Sequence, residues 1–166
     1  MREAIGGTWL TQIVIIFMLI FVAFLALTLN YTKAFKMKND IITIIEEREG
    51  ITINKNGKLN GSIGLINNYL EKNGYTILRA CPEGSYGVSD LHSEAINYIN
   101  KGQNAKRYYY CITKFHAPST NYKRKVYYQV AISLKFNLPI LGDLFTFEVT
   151  GNTEDITIPA DNLKTK

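Results

Sequence analysis

Between Trp9 and Leu29 the chain is almost free of polar side chains, and from Ile13 to Leu27 (IVIIFMLIFVAFLAL) it has none. At about 1.5 Å per residue, a helix over this stretch is roughly 31 Å long, the hydrocarbon thickness of a bilayer. Hydrocarbon offers the backbone no partners, so a segment lying there must pair its own N–H and C=O groups, as a helix does. A helix buried in a globular core carries a polar stripe, and this one carries none. The segment is therefore predicted to span a membrane. It is also predicted to stay, because it is longer than the apolar part of a signal peptide. Its exit, Leu29-Asn30-Tyr31-Thr32-Lys33, has no small-x-small cleavage site.

The helix is predicted to continue past the lipid. Residues 31–49 contain neither Pro nor Gly, and Phe35, Ile42 and Ile45, with Ile41 and Ile44 beside them, recur at roughly helical spacing. Gly50 is the expected stop. The chain thus divides into a leader (1–7), a transmembrane helix (8–30), its amphipathic extension (31–49) and a head domain (50–166). A stripe on the extension needs cover, and the head is the cover expected.

Within the head, a Gly/Asn/Lys-rich loop (Asn54–Gly61) precedes a short helix from Ser62, its expected cap, to Lys72, ended by Asn73-Gly74. Tyr75–Leu78 reads as a short strand. Gly84, Ser85 and Gly87 read as loop, and Ser89–Asn100 as a turn or two of helix. The last third is β. Arg107–His116 is aromatic and β-branched. Val126–Leu138 alternates, with Val126, Tyr128, Val130, Ile132, Leu134 and Phe136 on one face. Ala117–Asn121 supplies the turn between these strands, Pro139 ends the second, and Gly142-Asp143 makes the next turn. Leu144–Thr150 alternates again, with Phe145, Phe147 and Val149 inward, and Ile156–Ile158 adds a last short strand. The predicted class is α+β: a long N-terminal helix, a short helix and an antiparallel meander of three to four strands.

Net charge is +5, and Arg2 offsets Glu3, so the excess lies beyond the membrane. A mildly basic surface is ordinarily a solvated one, and it can also favour anionic lipid or wall polymers. No nucleic-acid module appears, and the run Lys123–Lys125 falls where a hairpin turn is expected. In an oxidising compartment Cys81 and Cys111 form one structural disulfide; two buried thiols, or a nucleophile, are the other readings.

Chemistry is sparse. His92 sits in Asp90-Leu91-His92-Ser93-Glu94, where sequence neighbours diverge too much to form a triad, and no G-x-S-x-G elbow occurs. Cys81, Cys111, His92 and His116 lack zinc-binding spacings, and the glycines match no phosphate loop. The tyrosines of Tyr108–Tyr110, with Tyr127 and Tyr128, read as amphipathic sheet residues that can also stack on sugars. No cofactor, metal or catalytic residue is expected.

The N-terminus carries the one specific resemblance. Gly6-Gly7-Thr8-Trp9-Leu10-Thr11-Gln12, then the apolar helix, then Leu29-Asn30-Tyr31-Thr32-Lys33-Ala34-Phe35, resembles the TadE-like pseudopilins of tight-adherence, type IV-related pilus systems. Lys33-Ala34-Phe35 matches the end of the family's exit motif, whereas Asn30-Tyr31-Thr32 departs from two of the three residues before it. The likeness covers residues 6–40, with Phe136-Asn137-Leu138-Pro139 loosely compatible. It implies cleavage by a prepilin peptidase after Gly7 or Gly6, leaving Thr8 or Gly7 as the mature N-terminus. It also implies packing against other pilin-like subunits through the N-terminal helix. Counted from Thr8, the fifth position holds Gln12, where such proteins place a glutamate that offsets a neighbour's buried amine. An amide offsets a buried cation less well, which implies a minor rather than a major subunit. Flanking charge alone (Arg2 and the amine against Lys33, Lys36 and Lys38) puts the head in the cytoplasm. The cysteine pair and the resemblance put it outside, and an extracytoplasmic head on a single-pass anchor is the expectation.

Overall fold

A computed structural model describes residues 2–51, 61–92, 96–102, 106–118, 124–138 and 142–158. Residues 54–60, the turn residues 119–121, Lys123 and Pro139 lie outside it, as do the side chains of Phe136 and Phe145. One helix, α1 (Arg2–Glu47), runs for 46 residues. It ends in a left-handed turn one residue earlier than expected. Glu49 (φ 54°) takes the position usually left to glycine, and the Gly50 N–H reaches back 2.8 Å to the Ile45 carbonyl. Gly50 is still required there, because at φ 104° a Cβ would lie 2.9 Å from the Tyr128 hydroxyl oxygen.

α2 (Ser62–Lys72) has the expected span but a different cap. Gly61 holds the N-cap position without a side-chain bond, and Ser62 lies inside the helix with its Oγ buried and unpartnered.

Among the described residues the sheet is antiparallel and has six strands rather than three to four: β1 (Ser85–Val88), β2 (Asn97–Tyr98), β3 (Tyr110–Ala117), β4 (Arg124–Leu138), β5 (Gly142–Asn152) and β6 (Ile156–Ile158). Their order is β2-β1-β3-β4-β5, with β6 pairing the start of β4 beyond the end of β5. The additions fall in the Gly/Ser-rich region read as loop and helix. β1 and β2, four and two residues long, are too short to show a period of two, and β1 pairs on the edge of β3 while β2 pairs on β1. Tyr75–Leu78 is not a strand. Only Arg79 pairs, in a single bridge to Tyr108. Gly142 and Asp143 are strand, opposite Leu138 and Asn137, so the reversal lies between Leu138 and Gly142. Arg124 and Lys125 likewise belong to β4 rather than to a turn.

The sheet face carrying Val126, Tyr128, Val130, Ile132 and Leu134 is buried, as its alternation predicts, with Tyr110 and Ile112 of β3 and Val149 of β5 beside it. Phe147 shares this face by register but is 46% exposed. The cover is α2 together with the lower half of α1. The stripe α1 buries is Ala34, Met37, Ile41 and Ile45, rotated from the one expected, and Phe35 stays 44% exposed. Lys38 explains the rotation. Its stem packs where a Cβ on Gly151 would stand, its ammonium lies 4.0 Å above the Phe35 ring, and it is only 6% exposed.

The second sheet face is also covered in part. Cys81, Ile99, Tyr108, Cys111 and Ala131 form a small separate cluster there, and Ser133 is buried as well.

Four tyrosine hydroxyls sit in this framework, and burial pushes each above its ordinary value: Tyr69 and Tyr75 to about 12, Tyr128 upward, Tyr110 well upward. The hydrogen bond that Tyr69 donates to Asp40, joining α2 to α1, adds to its shift. The fold holds the neutral form. Below pH ~10 these four hydroxyls keep their protons in the folded and the unfolded chain alike, whereas between pH ~10 and ~12 the unfolded chain releases tyrosine protons the folded one keeps. Thermal midpoints should therefore be level up to about pH 10 and fall above it. A midpoint that holds steady through pH ~12 would contradict these burials.

Candidate functional site

The two halves of α1 differ sharply in cover. From Thr8 to Val22 every side chain is exposed, with Trp9 at 67% and Leu10 at 68%, while Ile41 and Ile45 are at 0%. The apolar window is long and apolar enough to cross a membrane, and none of it is buried by the rest of the chain. The boundary is chemically marked. Thr28 and Thr32 direct their hydroxyls back to the carbonyls of Phe24 and Thr28, at 2.9 and 2.8 Å. These polar groups are thereby satisfied within the helix. Exposed Lys33 and Lys36 follow within one turn.

Gly6 and Gly7 are part of the helical backbone. Thr8 and Gln12, four residues apart and so one above the other on the helix surface, are both exposed. The structure thus puts Thr8–Gln12 on an uncovered helix end, more than 20 residues before α1 meets the sheet at Ala34, whereas the exit residues of the resemblance, Lys33-Ala34-Phe35, lie where that contact begins.

Cys81 and Cys111 are joined, with Cα atoms 5.5 Å apart and 30 residues between them in sequence. The bond lies on the second sheet face, where Cys111 faces Ala131 across the β3–β4 ladder. It fastens the extended segment 75–81 over the sheet. Beside it is an open recess of about 510 Å³ whose polar lining is Arg79, Arg107, Ser133, Thr146 and Glu148. Arg79 donates from Nη2 to Glu148 at 2.9 Å and from Nε to the Ala80 carbonyl at 3.1 Å, while its buried Nη1 has no hydrogen-bond partner.

The histidines do not converge on anything reactive. His92 is exposed, and its Nδ1 lies 3.5 Å from Glu71 Oε1 while its N–H bonds Asp90. His116 is exposed on β3. Among the described residues no group of three or more His, Cys, Asp or Glu is placed to hold a metal ion. Glu154 and Asp155 sit between β5 and β6 rather than on a strand. The Glu154 N–H bonds Glu46 of α1 at 2.8 Å, and Asp155 lies 3.7 Å from Lys125.

Two residues that the sequence did not single out hold the sheet together. The Tyr75 hydroxyl donates to the Ser133 carbonyl at 2.8 Å and accepts from the Ser133 N–H at 2.9 Å. On the opposite edge of β4, the Thr153 hydroxyl accepts the Tyr128 N–H at 2.9 Å, and the Thr153 N–H reaches the Tyr128 carbonyl. No pattern in the sequence marks either one, since each answers a gap in a strand pairing that only the fold creates.

Set against protein-family models, curated proteins and solved structures, the chain matches none.

Proposed function

We propose that this protein is a non-enzymatic, pilin-like minor subunit of a type IV-related (tight-adherence) pilus or secretion apparatus, held in the cell membrane by α1 with its head outside. One observation carries the reading: a single unbroken helix whose lower half is fused into the sheet's core and whose apolar upper half has no cover from its own chain. Such a helix transmits the position of the head rigidly to whatever the upper half packs against. In a bilayer that is lipid, and in a bundle it is the same half of neighbouring subunits. Gly6-Gly7-Thr8, ahead of an exposed Gln12, supplies the place for a prepilin peptidase to cut and the residue that would stand beside a neighbour's new amine.

The test is the N-terminal residue of protein purified from its own membrane, by intact mass. A start at Thr8 or Gly7 is expected, and an intact Met1 would overturn the processing on which assembly depends. Gln12→Glu should then strengthen co-purification of the mature protein with partner subunits, because a carboxylate offsets a buried amine better than an amide does. An unchanged yield would argue against that packing.

The recess favours a second reading, a signal-anchored extracytoplasmic binding module with no filament role. Arg79 and Arg107 would there meet an anionic group of a wall polymer. An intact Met1 would bring this reading forward.

A further inference from the structure

We infer that the far end of the β4–β5 hairpin enters the same leaflet from which α1 emerges and makes a second lipid contact for the head. This rests on the reading that the apolar half of α1 spans the membrane.

β4 and α1 lie side by side and run in opposite directions. Near one end of the contact Tyr128 stands against Gly50. Near the other, Asn30, Lys33, Ala34 and Met37 share a small recess with Ser133, Leu134 and Lys135. Tyr128 to Leu134 is roughly 20 Å of strand at about 3.3 Å per residue. Gly50 closes the turn that ends α1 at Glu47, and Glu47 to Ala34 is roughly 20 Å of helix at about 1.5 Å per residue. The two rises agree closely, so strand and helix are nearly aligned.

The hairpin does not stop at Leu134. Pairing continues to Phe136↔Phe145 and, past a register shift between Phe136 and Asn137, to Leu138↔Gly142. Those four further residues add roughly 13 Å, the rise of about nine helical residues. That places the Leu138–Gly142 pair level with about residue 25 of α1, on the hydrocarbon side of Leu29. Ala23, Ala26 and Asn30 are half-buried and continue the stripe of Ala34, Met37 and Ile41 at helical spacing, whereas Phe24 and Leu25 beside them are 64% and 47% exposed. The large apolar side chains at this level thus point away from the stripe that faces β4, and small ones lie along it.

The residues carried to this level suit lipid. Phe136, Leu138, Leu144 and Phe145 occupy the arms, with Asp143 their one charge. A hairpin ending in water ordinarily carries polar and charged residues at such positions. Lys33, Lys36 and Lys135 are exposed just on the aqueous side of the boundary, where anionic headgroups lie. Apart from the register shift at Phe136/Asn137, the two arms pair with each other. Their outer groups still need partners, which limits entry to the interfacial depth where water and headgroups remain. Helix and hairpin together would fix the tilt of the head against the bilayer, which one flexible point of attachment cannot do.

The experiment uses the full chain in vesicles of phosphatidylethanolamine and phosphatidylglycerol whose acyl chains are brominated near the headgroup, with tryptophan emission as readout. Trp9 is the only tryptophan, so the native protein reports on the anchor. In a Trp9→Phe background, Phe145→Trp reports on the hairpin, and Phe115→Trp on a site near Tyr127 at the distant end of β4. Leu138→Trp is read the same way if Phe145→Trp does not fold. Quenching of the hairpin tryptophan to the extent seen for Trp9, with the Phe115→Trp emission unaffected, is the expected result. If Trp9 is quenched while the hairpin variants stay as bright as Phe115→Trp, the hairpin proposal is overturned and the anchor stands. If Trp9 itself is not quenched, the anchor reading fails and takes the hairpin proposal with it.

Discussion

Replacing Cys81 and Cys111 together by alanine is expected to cost about 3–4 kcal/mol of stability, the entropy of a roughly 30-residue loop left open in the unfolded chain. Alanine is the right replacement because both sulfurs are buried, and serine would add an unpaired hydroxyl. The loss should be read as a lower denaturation midpoint of the detergent-solubilised protein. Reducing agent should produce the same fall in the native protein and none in the variant. The site argues for a large effect on a second count. Segment 75–81 is held to the sheet by the disulfide, by the Arg79–Tyr108 bridge (2.8 and 2.7 Å) and by the Tyr75 hydroxyl. Without the bond, the Arg79–Glu148 pair and the recess beside it lose their fastening. A native midpoint indifferent to reductant would remove the disulfide from the account of stability.

What was legible in the chain follows from how strongly each element depends on itself. The long helix was legible because hydrocarbon enforces helix on any segment of that length. The span of α2 was legible because Gly61 and Asn73-Gly74 punctuate it on either side. β4 was legible because Val126 to Leu134 alternate against one buried face. The other face was not legible. Nothing in the alternation marks Ala131 and Ser133 for burial, yet both are buried, because a disulfide and a segment with no periodicity of its own lie over them. β1 and β2 were missed for the same kind of reason, since β1 pairs on the edge of β3 and β2 on β1. The rotation of the buried stripe on α1 could not be read from periodicity either. Lys38 looked like a solvent residue, and its burial depends on Gly151 leaving room over a hundred residues away. Of the site, the sequence supplied the apolar half of α1, long and apolar enough to cross a membrane. It did not supply the hairpin's level against α1, which needs the register of two strands with a helix.

Tyr75→Phe is expected to cost about 2–4 kcal/mol, unusually much for the loss of one oxygen, because it leaves two buried backbone groups without a partner. β3 pairs with β4 only as far as Tyr110↔Ile132, so Ser133, the next residue, has no strand beside it on that side. The Tyr75 hydroxyl takes the place of the missing strand, donating to the carbonyl and accepting from the N–H. A phenyl ring fills the same volume and does neither. Thr153→Val makes the comparison sharper. There the hydroxyl accepts the buried Tyr128 N–H and donates only to the carbonyl of exposed Glu154, while the Thr153 backbone keeps its own bond to the Tyr128 carbonyl. That variant should lose about 1–3 kcal/mol, less than Tyr75→Phe, with the amide of Tyr128 rather than that of Ser133 exchanging faster with deuterium. The alkaline limb supplies an independent check. Ionised Tyr75 could not donate to the Ser133 carbonyl, and its value of about 12 means the native fold loses that bond only at high pH. Tyr75→Phe should therefore start less stable at neutral pH and fall less steeply above pH ~10 than the native protein. Equal slopes would mean that the Tyr75 proton is not held by the fold, and a neutral-pH loss no larger than that of Thr153→Val would mean that its hydroxyl does not serve two groups.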